Sequence, residues 1–179
     1  MKNALIIYSS WTGSTQEIAE HIAKTLEKNK FKAKVISAKE KPNLNKFDLI
    51  VIGTSVHAGR TLSDFRRFIK QNFEILTSKP IAFFVSCANM MHDTEESREE
   101  TRAWLEKGIK NFSVLQPLSI GYFGGATKTS GKSFDKLNIF TRRIIQAMEK
   151  KMLSEYAKTD FRDWDKIEAW VIDLIQIIN

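Results

Sequence analysis

Five short apolar runs, separated by segments of a different period, dictate what this chain can fold into. Four of them, Ala4–Tyr8 (ALIIY), Ala33–Ser37 (AKVIS), Phe47–Gly53 (FDLIVIG) and Ile81–Ser86 (IAFFVS), are each too short for a helix, and the fifth lies within Val114–Phe123. A largely unbroken apolar run reads as a strand buried on both faces. Between the runs, apolar residues recur every three or four positions, first at Ile18, Ile22 and Leu26, then at Leu62, Phe65, Ile69 and Leu76. Thr61, with Asp64 three residues on, predicts an acidic capping box for that second helix. Further helices are expected over Thr94–Lys110, where early Glu95, Glu96 and Glu99 suit a helix N-terminus, over Ser133–Leu153 and over Trp164–Ile178. Alternating strands and helices require parallel pairing, right-handed crossovers and helices on both faces. The predicted fold is therefore α/β, an open doubly wound five-stranded parallel sheet. No internal repeat or dividing linker interrupts 1–179, so a single domain is expected, with a late loop insertion around 121–133.

Composition removes several function classes. A lone cysteine, Cys87, excludes a disulfide within the chain and suits a reducing compartment. No apolar run approaches the ~18 residues of a membrane span, and the N-terminus has no secretory pattern, so a cytoplasmic location is expected. Three scattered histidines and one cysteine have no metal-ligand spacing, so no metal is expected. Basic and aromatic residues do not interleave as in nucleic-acid binders, so no nucleic-acid partner is expected. The formal charge of +7 favours acidic partners or an anionic membrane surface.

The chemistry concentrates after the first strand. Ser9, Ser10, Thr12, Ser14 and Thr15 surround Trp11 and Gly13, with no charged residue among them, immediately before a helical pattern. In a doubly wound sheet ligands gather at the carboxyl ends of the strands. Free backbone N–H groups and the helix dipole there favour an anion, hydroxyls add donors, and Gly13 allows a tight turn. Such donors can hold a phosphate monoester without a cationic side chain. The loop can equally be a polar turn in which Ser14 or Thr15 caps the helix.

The order Ser10-Trp11-Thr12-Gly13-Ser14-Thr15, placed directly after the first strand, resembles the phosphate loop of the flavodoxins, Thr/Ser-x-Thr-Gly-x-Thr, which holds the phosphate of FMN. The absence of G-x-G-x-x-G favours a mononucleotide over a dinucleotide. The run Val51–Arg60 (VIGTSVHAGR) looks like the second flavin loop, and TLSDFRRFIKQN and TDFRDWDKIEAW make the chain resemble the quinone-linked protoporphyrinogen oxidase (dehydrogenase) subgroup in particular. The resemblance implies strand order 2-1-3-4-5. It implies noncovalent FMN, with the phosphate on Ser10, Thr12, Gly13, Ser14 and Thr15 and Trp11 near the ribityl chain or the loop surface. The ring is then expected between Thr54, Ser55, Val56, His57, Ala58 and Gly59 on one side and Ser86, Cys87, Ala88, Asn89 and Met90 on the other. It implies electron transfer from a reduced substrate through FMN to a quinone or a redox protein. The alternative it leaves is a flavodoxin that only carries electrons between proteins. No residue is assigned a catalytic role.

Two departures from flavodoxins shape the expectations. The ring loops carry one aromatic-type side chain, His57, and instead offer Cys87, Asn89, Met90 and Met91, so one ring face is expected to be open. Neither loop carries Asp or Glu, so the reduced ring meets less repulsion and a raised reduction potential is expected. Between Lys132 and Leu153, Lys132, Lys136, Arg142, Arg143, Lys150 and Lys151 outnumber Asp135 and Glu149, beside an apolar stripe of Leu137, Phe140, Ile144, Met148 and Met152. That stripe can pack on the sheet, or the segment 132–153 can lie on an anionic membrane as a peripheral contact. Ala126–Ser133 fits a loose nucleotide P-loop, but its position after the last strand argues against that reading.

Overall fold

In the computed structural model, which describes residues 1–179, the first apolar run forms β1 (Asn3–Ser9) and the hydroxyl-rich loop leads into α1 (Ser14–Lys28). Four more parallel strands follow: β2 (Lys32–Ser37), β3 (Leu49–His57), β5 (Ile81–Cys87) and β6 (Ile120–Gly124); β4 (Arg60–Thr61) is a two-residue strand. The parallel strands lie in the order β2-β1-β3-β5-β6, which is the predicted 2-1-3-4-5 arrangement once β4 is set aside. Each of β1, β3 and β5 pairs in parallel with its neighbours, with Ile6 opposite Val51 and Ile52 opposite Phe83.

The period of two along each strand builds two cores, one on each face. Leu5, Ile7, Ile50, Ile52, Phe83 and Val85 point to one side, where α2 (Ser63–Leu76) and α3 (Glu95–Gly108) cover them with Phe65, Phe68, Ile69 and Leu105. Ala4, Ile6, Leu49, Val51, Ala82 and Phe84 point to the other, under Ile18, Ile22 and Leu26 of α1 and Ile167, Val171 and Leu174 of α7 (Trp164–Ile178). Gly53 is required by this packing: a Cβ at that position would lie 1.9 Å from Cζ of Phe84. The edge strand β2 alternates exposed lysines with inward residues, as a strand open to water on one side must.

Two local expectations give way to other structure. Thr61 is not a helix cap; it pairs with Val56 in a hairpin, and α2 begins at Ser63 behind an extended Leu62 with no side-chain cap. The turn of that hairpin is Ala58-Gly59, with φ of 48° and 71°, a two-residue connection whose twist matches the strands it joins. The single helix expected over Ser133–Leu153 is interrupted. It divides into α5 (Lys132–Asp135) and α6 (Ile139–Tyr156), because Asn138 is extended and its side-chain oxygen accepts from Thr141 N at 2.9 Å, starting a new helix.

The fifth strand expected within Val114–Phe123 starts only at Ile120; Val114 belongs to the short helix α4 (Phe112–Leu115). After β6 the chain departs on a long excursion that contains α5 and α6. Its two ends meet in an antiparallel stem, where Ala126 bridges Asp160, Thr127 N donates to Thr159 O at 2.9 Å, and Phe161 N donates to Gly125 O at 3.0 Å.

Candidate functional site

The carboxyl ends of β1, β3 and β5 converge where strand order reverses, and the hydroxyl-rich loop lies there. Gly13 sits at φ 98°, a conformation that a side chain strains, and turns the chain into α1. Gly13 N donates to Ser10 Oγ at 3.0 Å, which closes the loop. The backbone N–H groups of Ser10, Trp11, Thr12, Ser14, Thr15 and Gln16 find no acceptor in the protein. Thr12, Ser14 and Thr15 are buried, and Thr15 Oγ1 hydrogen-bonds Ser86 Oγ at 2.9 Å, tying the loop to the end of β5. Neither Ser14 nor Thr15 caps α1, so the capping reading of this loop is not what the structure shows. Three of these free donors, on Ser14, Thr15 and Gln16, belong to the first turn of α1, and such donors are what an anionic oxygen cluster satisfies.

Beside this turn opens a cavity of about 340 Å³. Its walls come from Trp11 and Thr12 of the first loop, Ser14 at the start of α1, Ser55, Val56, His57 and Ala58 of β3 and its turn, Ser86 and Cys87 at the end of β5 with Ala88 beyond, and Gly125–Thr127 with Phe161 of the stem. Trp11 packs on His57 with ring centroids 4.3 Å apart. His57 Nε2 lies 3.1 Å from Ser55 Oγ. Burial pushes the His57 imidazole down to about 4, so the ring is neutral near pH 7. No Asp, Glu, Lys or Arg lines the slot, in keeping with the absence of charge in the two ring loops. The Cys87 thiol is 5% exposed, lies 3.7 Å from Thr101 Oγ1 and is raised above the usual thiol range by burial. It is a buried thiol rather than a reactive one.

Other residues singled out in the ring loops face elsewhere. Asn89 gives its amide to α3, donating to Ser97 O, Glu100 Oε2 and Thr101 Oγ1. Met90 is 3% exposed and packs in the core below α3. Thr54 is fully buried, donates to Ser55 O and accepts from Leu62 N, which locks the start of α2 to the hairpin. Gly59 makes room for Trp104, whose indole nitrogen would lie 3.1 Å from a Cβ there.

Of the stripe, Ile144, Met148 and Met152 turn to the slot rather than to the sheet, while Phe140 stays exposed. All three reach the slot from the excursion and cover part of it. The cover is thin: Ile144 and Met148 remain 43% and 37% exposed, and Ile145 is the single buried residue of α6. Thr127 Oγ1 donates to Met152 Sδ at 3.1 Å and Thr129 Oγ1 to Glu149 Oε1 at 2.8 Å, holding α6 to the stem.

The hydroxyl-rich loop itself carries no Lys or Arg. Two cations reach its margin from far along the chain. Lys128 Nζ and Arg162 Nη1 both bond the carboxylate of Glu17 in the first turn of α1, the latter at 2.6 Å. Nothing in the spacing of these residues signals the meeting, which joins positions 111 and 145 residues apart.

Comparison with known proteins follows the same outline. The family described as Flavodoxin domain matches residues 5–160. The chain is 26% identical over 178 residues to a protoporphyrinogen IX dehydrogenase (quinone) of Escherichia coli K12, covering 98% of this chain and 96% of the relative. It is 26% identical to a protein of the same name from Leishmania major, covering 94% of this chain and 73% of the relative. Among solved structures, the FMN-bound flavodoxin of Fusobacterium nucleatum aligns over 98% of both chains at 14% identity with a TM-score of 0.51.

Proposed function

The chain belongs to the flavodoxin domain family, and we propose that it is an FMN-dependent oxidoreductase that moves electrons from a reduced tetrapyrrole-type substrate to a quinone. The observation that carries this reading is the adjoining pair of a partnerless amide turn and an uncharged slot at the switch point of the sheet. FMN fits that pair: its phosphate needs donors, which Ser10–Gln16 supply, and its ring needs a flat apolar slot, which Trp11, His57 and Ala58 begin and α6 completes. When bound, FMN supplies the transfer of one or two electrons.

This chain's own residues orient and tune. The hydroxyls of Ser10, Thr12, Ser14 and Thr15 and the free amides hold the phosphate, which fixes the slot's occupant in register. Ser55–Ala58 and Ser86–Ala88 offer backbone groups to the polar edge of the ring. Neutral His57 keeps its proton on the ring and shares a hydrogen bond with Ser55 instead of adding charge. With no carboxylate in the walls, electron density arriving in the slot meets no opposing charge, and the reduction potential lies above that of an acidic carrier.

The exposed part of α6 suits the partner. Ile139 and Phe140 are each 73% exposed beside Arg142 and Arg143, an arrangement that seats on an anionic lipid surface where quinone resides. No helix is long and apolar enough to cross a membrane. Sedimentation with anionic vesicles at low salt checks this contact; binding is expected in wild type and lost in an Ile139→Ser/Phe140→Ser variant, and no binding by wild type contradicts it.

The thin cover of α6 favours a second reading, an electron carrier that exchanges at the slot's edge without admitting a substrate. Anaerobic oxidation of protoporphyrinogen with a menaquinone analogue separates them. Flavin-dependent turnover is the expected result; no turnover, with rapid exchange with a redox protein, returns the carrier reading.

A further inference from the structure

Arg162 is the most buried cation of the site margin, with a side chain 7% exposed. It donates to Glu17 Oε2 at 2.6 Å, to Asp160 Oδ2 at 2.5 Å and to Ser14 O at 3.4 Å, and its guanidinium stacks on Trp164 at 4.7 Å. Lys128 takes the other oxygen of Glu17. Burial disfavours the Glu17 carboxylate, but the hydrogen bonds from Lys128 and Arg162 outweigh it and hold the group below its usual range. The two cations stand just outside the two ends of the antiparallel stem, Lys128 on the outgoing chain and Arg162 on the returning one. Ser133, farther along the excursion, places its Oγ 3.5 Å from where a Cβ of Gly13 would stand.

The stem already closes through its backbone bonds, so this double pairing is not needed for closure. What it does is electrostatic. Glu17 occupies the positive end of α1, the place where an anion in the Ser10–Gln16 turn must also sit. An unpaired carboxylate there repels a dianionic phosphate; two cations convert that repulsion into a shared network.

Resting on the flavin reading above, we propose that Lys128 and Arg162 are positioning residues shared between Glu17 and the phosphate monoester of the flavin. They select the phosphorylated flavin over riboflavin, and by bonding phosphate from both ends of the excursion they steady α6 over the slot it already covers. Glu17 is the internal anion with which the phosphate competes for both cations.

The test uses the flavin-free full chain and titrates FMN and riboflavin into wild type, Lys128→Ala and Glu17→Gln, following flavin fluorescence. Tryptic cleavage after Arg142 and Arg143 is timed with each flavin. Lys128→Ala is expected to weaken FMN about tenfold, the worth of one charge-assisted bond, and to leave riboflavin within about twofold. Glu17→Gln is expected to leave FMN binding unweakened or tightened several-fold, because it removes the competing charge and its single amide oxygen can accept from only one of the two cations, which frees the other for phosphate. FMN slows cleavage of α6 in wild type, riboflavin does not, and Lys128→Ala loses the difference. Equal losses for both flavins in Lys128→Ala, a Glu17→Gln variant weakened as much as Lys128→Ala, or equal protection by riboflavin overturns this proposal alone. Wild type that binds neither flavin overturns the flavin reading and this proposal with it.

Discussion

Replacing His57 by glutamine reads the dryness of the slot through the pH dependence of folding. Burial lowers the imidazole from 6.5 to about 4. Because the folded value is depressed, the folded state binds fewer protons than the unfolded chain between those limits. The stabilisation is complete above pH 6.5, declines as pH falls, and is gone below about 4. A gap of about 2.5 pH units at about 1.4 kcal/mol each is about 3.5 kcal/mol, of which about 2 kcal/mol has been lost by pH 5. Glutamine cannot titrate but keeps a donor and an acceptor for Ser55 Oγ. Urea unfolding of the flavin-free chain at pH 7.5, 6, 5 and 4 gives the stability curves. Wild type is expected to lose about 2 kcal/mol more than His57→Gln between pH 7.5 and 5. Parallel curves for the two proteins refute the reasoning: the imidazole is then hydrated and the slot is wet.

Other outcomes follow from the same packing. Gly53→Ala places a methyl 1.9 Å from the Phe84 ring, and a loss of about 1–3 kcal/mol in urea unfolding is expected, with Phe84→Leu in the same chain recovering part of it. Asn138→Ala removes the acceptor that starts α6 and is expected to cost about 1 kcal/mol, seen as faster tryptic cleavage of α6 at unchanged core stability. Cys87, buried and raised in pKa, is expected to react with a disulfide reagent only through opening of the fold, so its labelling rate rises steeply with urea; rapid native labelling contradicts its placement.

The layers of the fold were legible because parallel strands buried on both faces leave unbroken runs such as ALIIY and IAFFVS. The hydroxyl-rich turn into α1 was legible for a local reason: its hydroxyls, Gly13 and the helix start are consecutive in the chain. The hairpin at Ala58-Gly59 was not, because its turn lacks the usual Asn-Gly and β4 is two residues long, too short for a period. The break before α6 hides in a stretch whose apolar spacing continues through it; only the cap chemistry of Asn138 marks it. The aromatic wall was half visible. His57 was expected beside the ring, but Trp11 reaches it by packing across two loops, which no spacing within either loop encodes. The clasp on Glu17 and the seating of α6 over the slot depend on where an excursion of some thirty residues returns, a matter of tertiary closure rather than of local pattern.

Amide NMR of the flavin-free chain observes the turn from Ser10 to Gln16, on which the flavin reading depends most directly. Addition of FMN is expected to move the amide resonances of Trp11, Thr12, Ser14, Thr15 and Gln16 strongly downfield, as hydrogen bonds to a phosphate oxygen do, while riboflavin moves only resonances in the slot. FMN that leaves those five amides in place contradicts it.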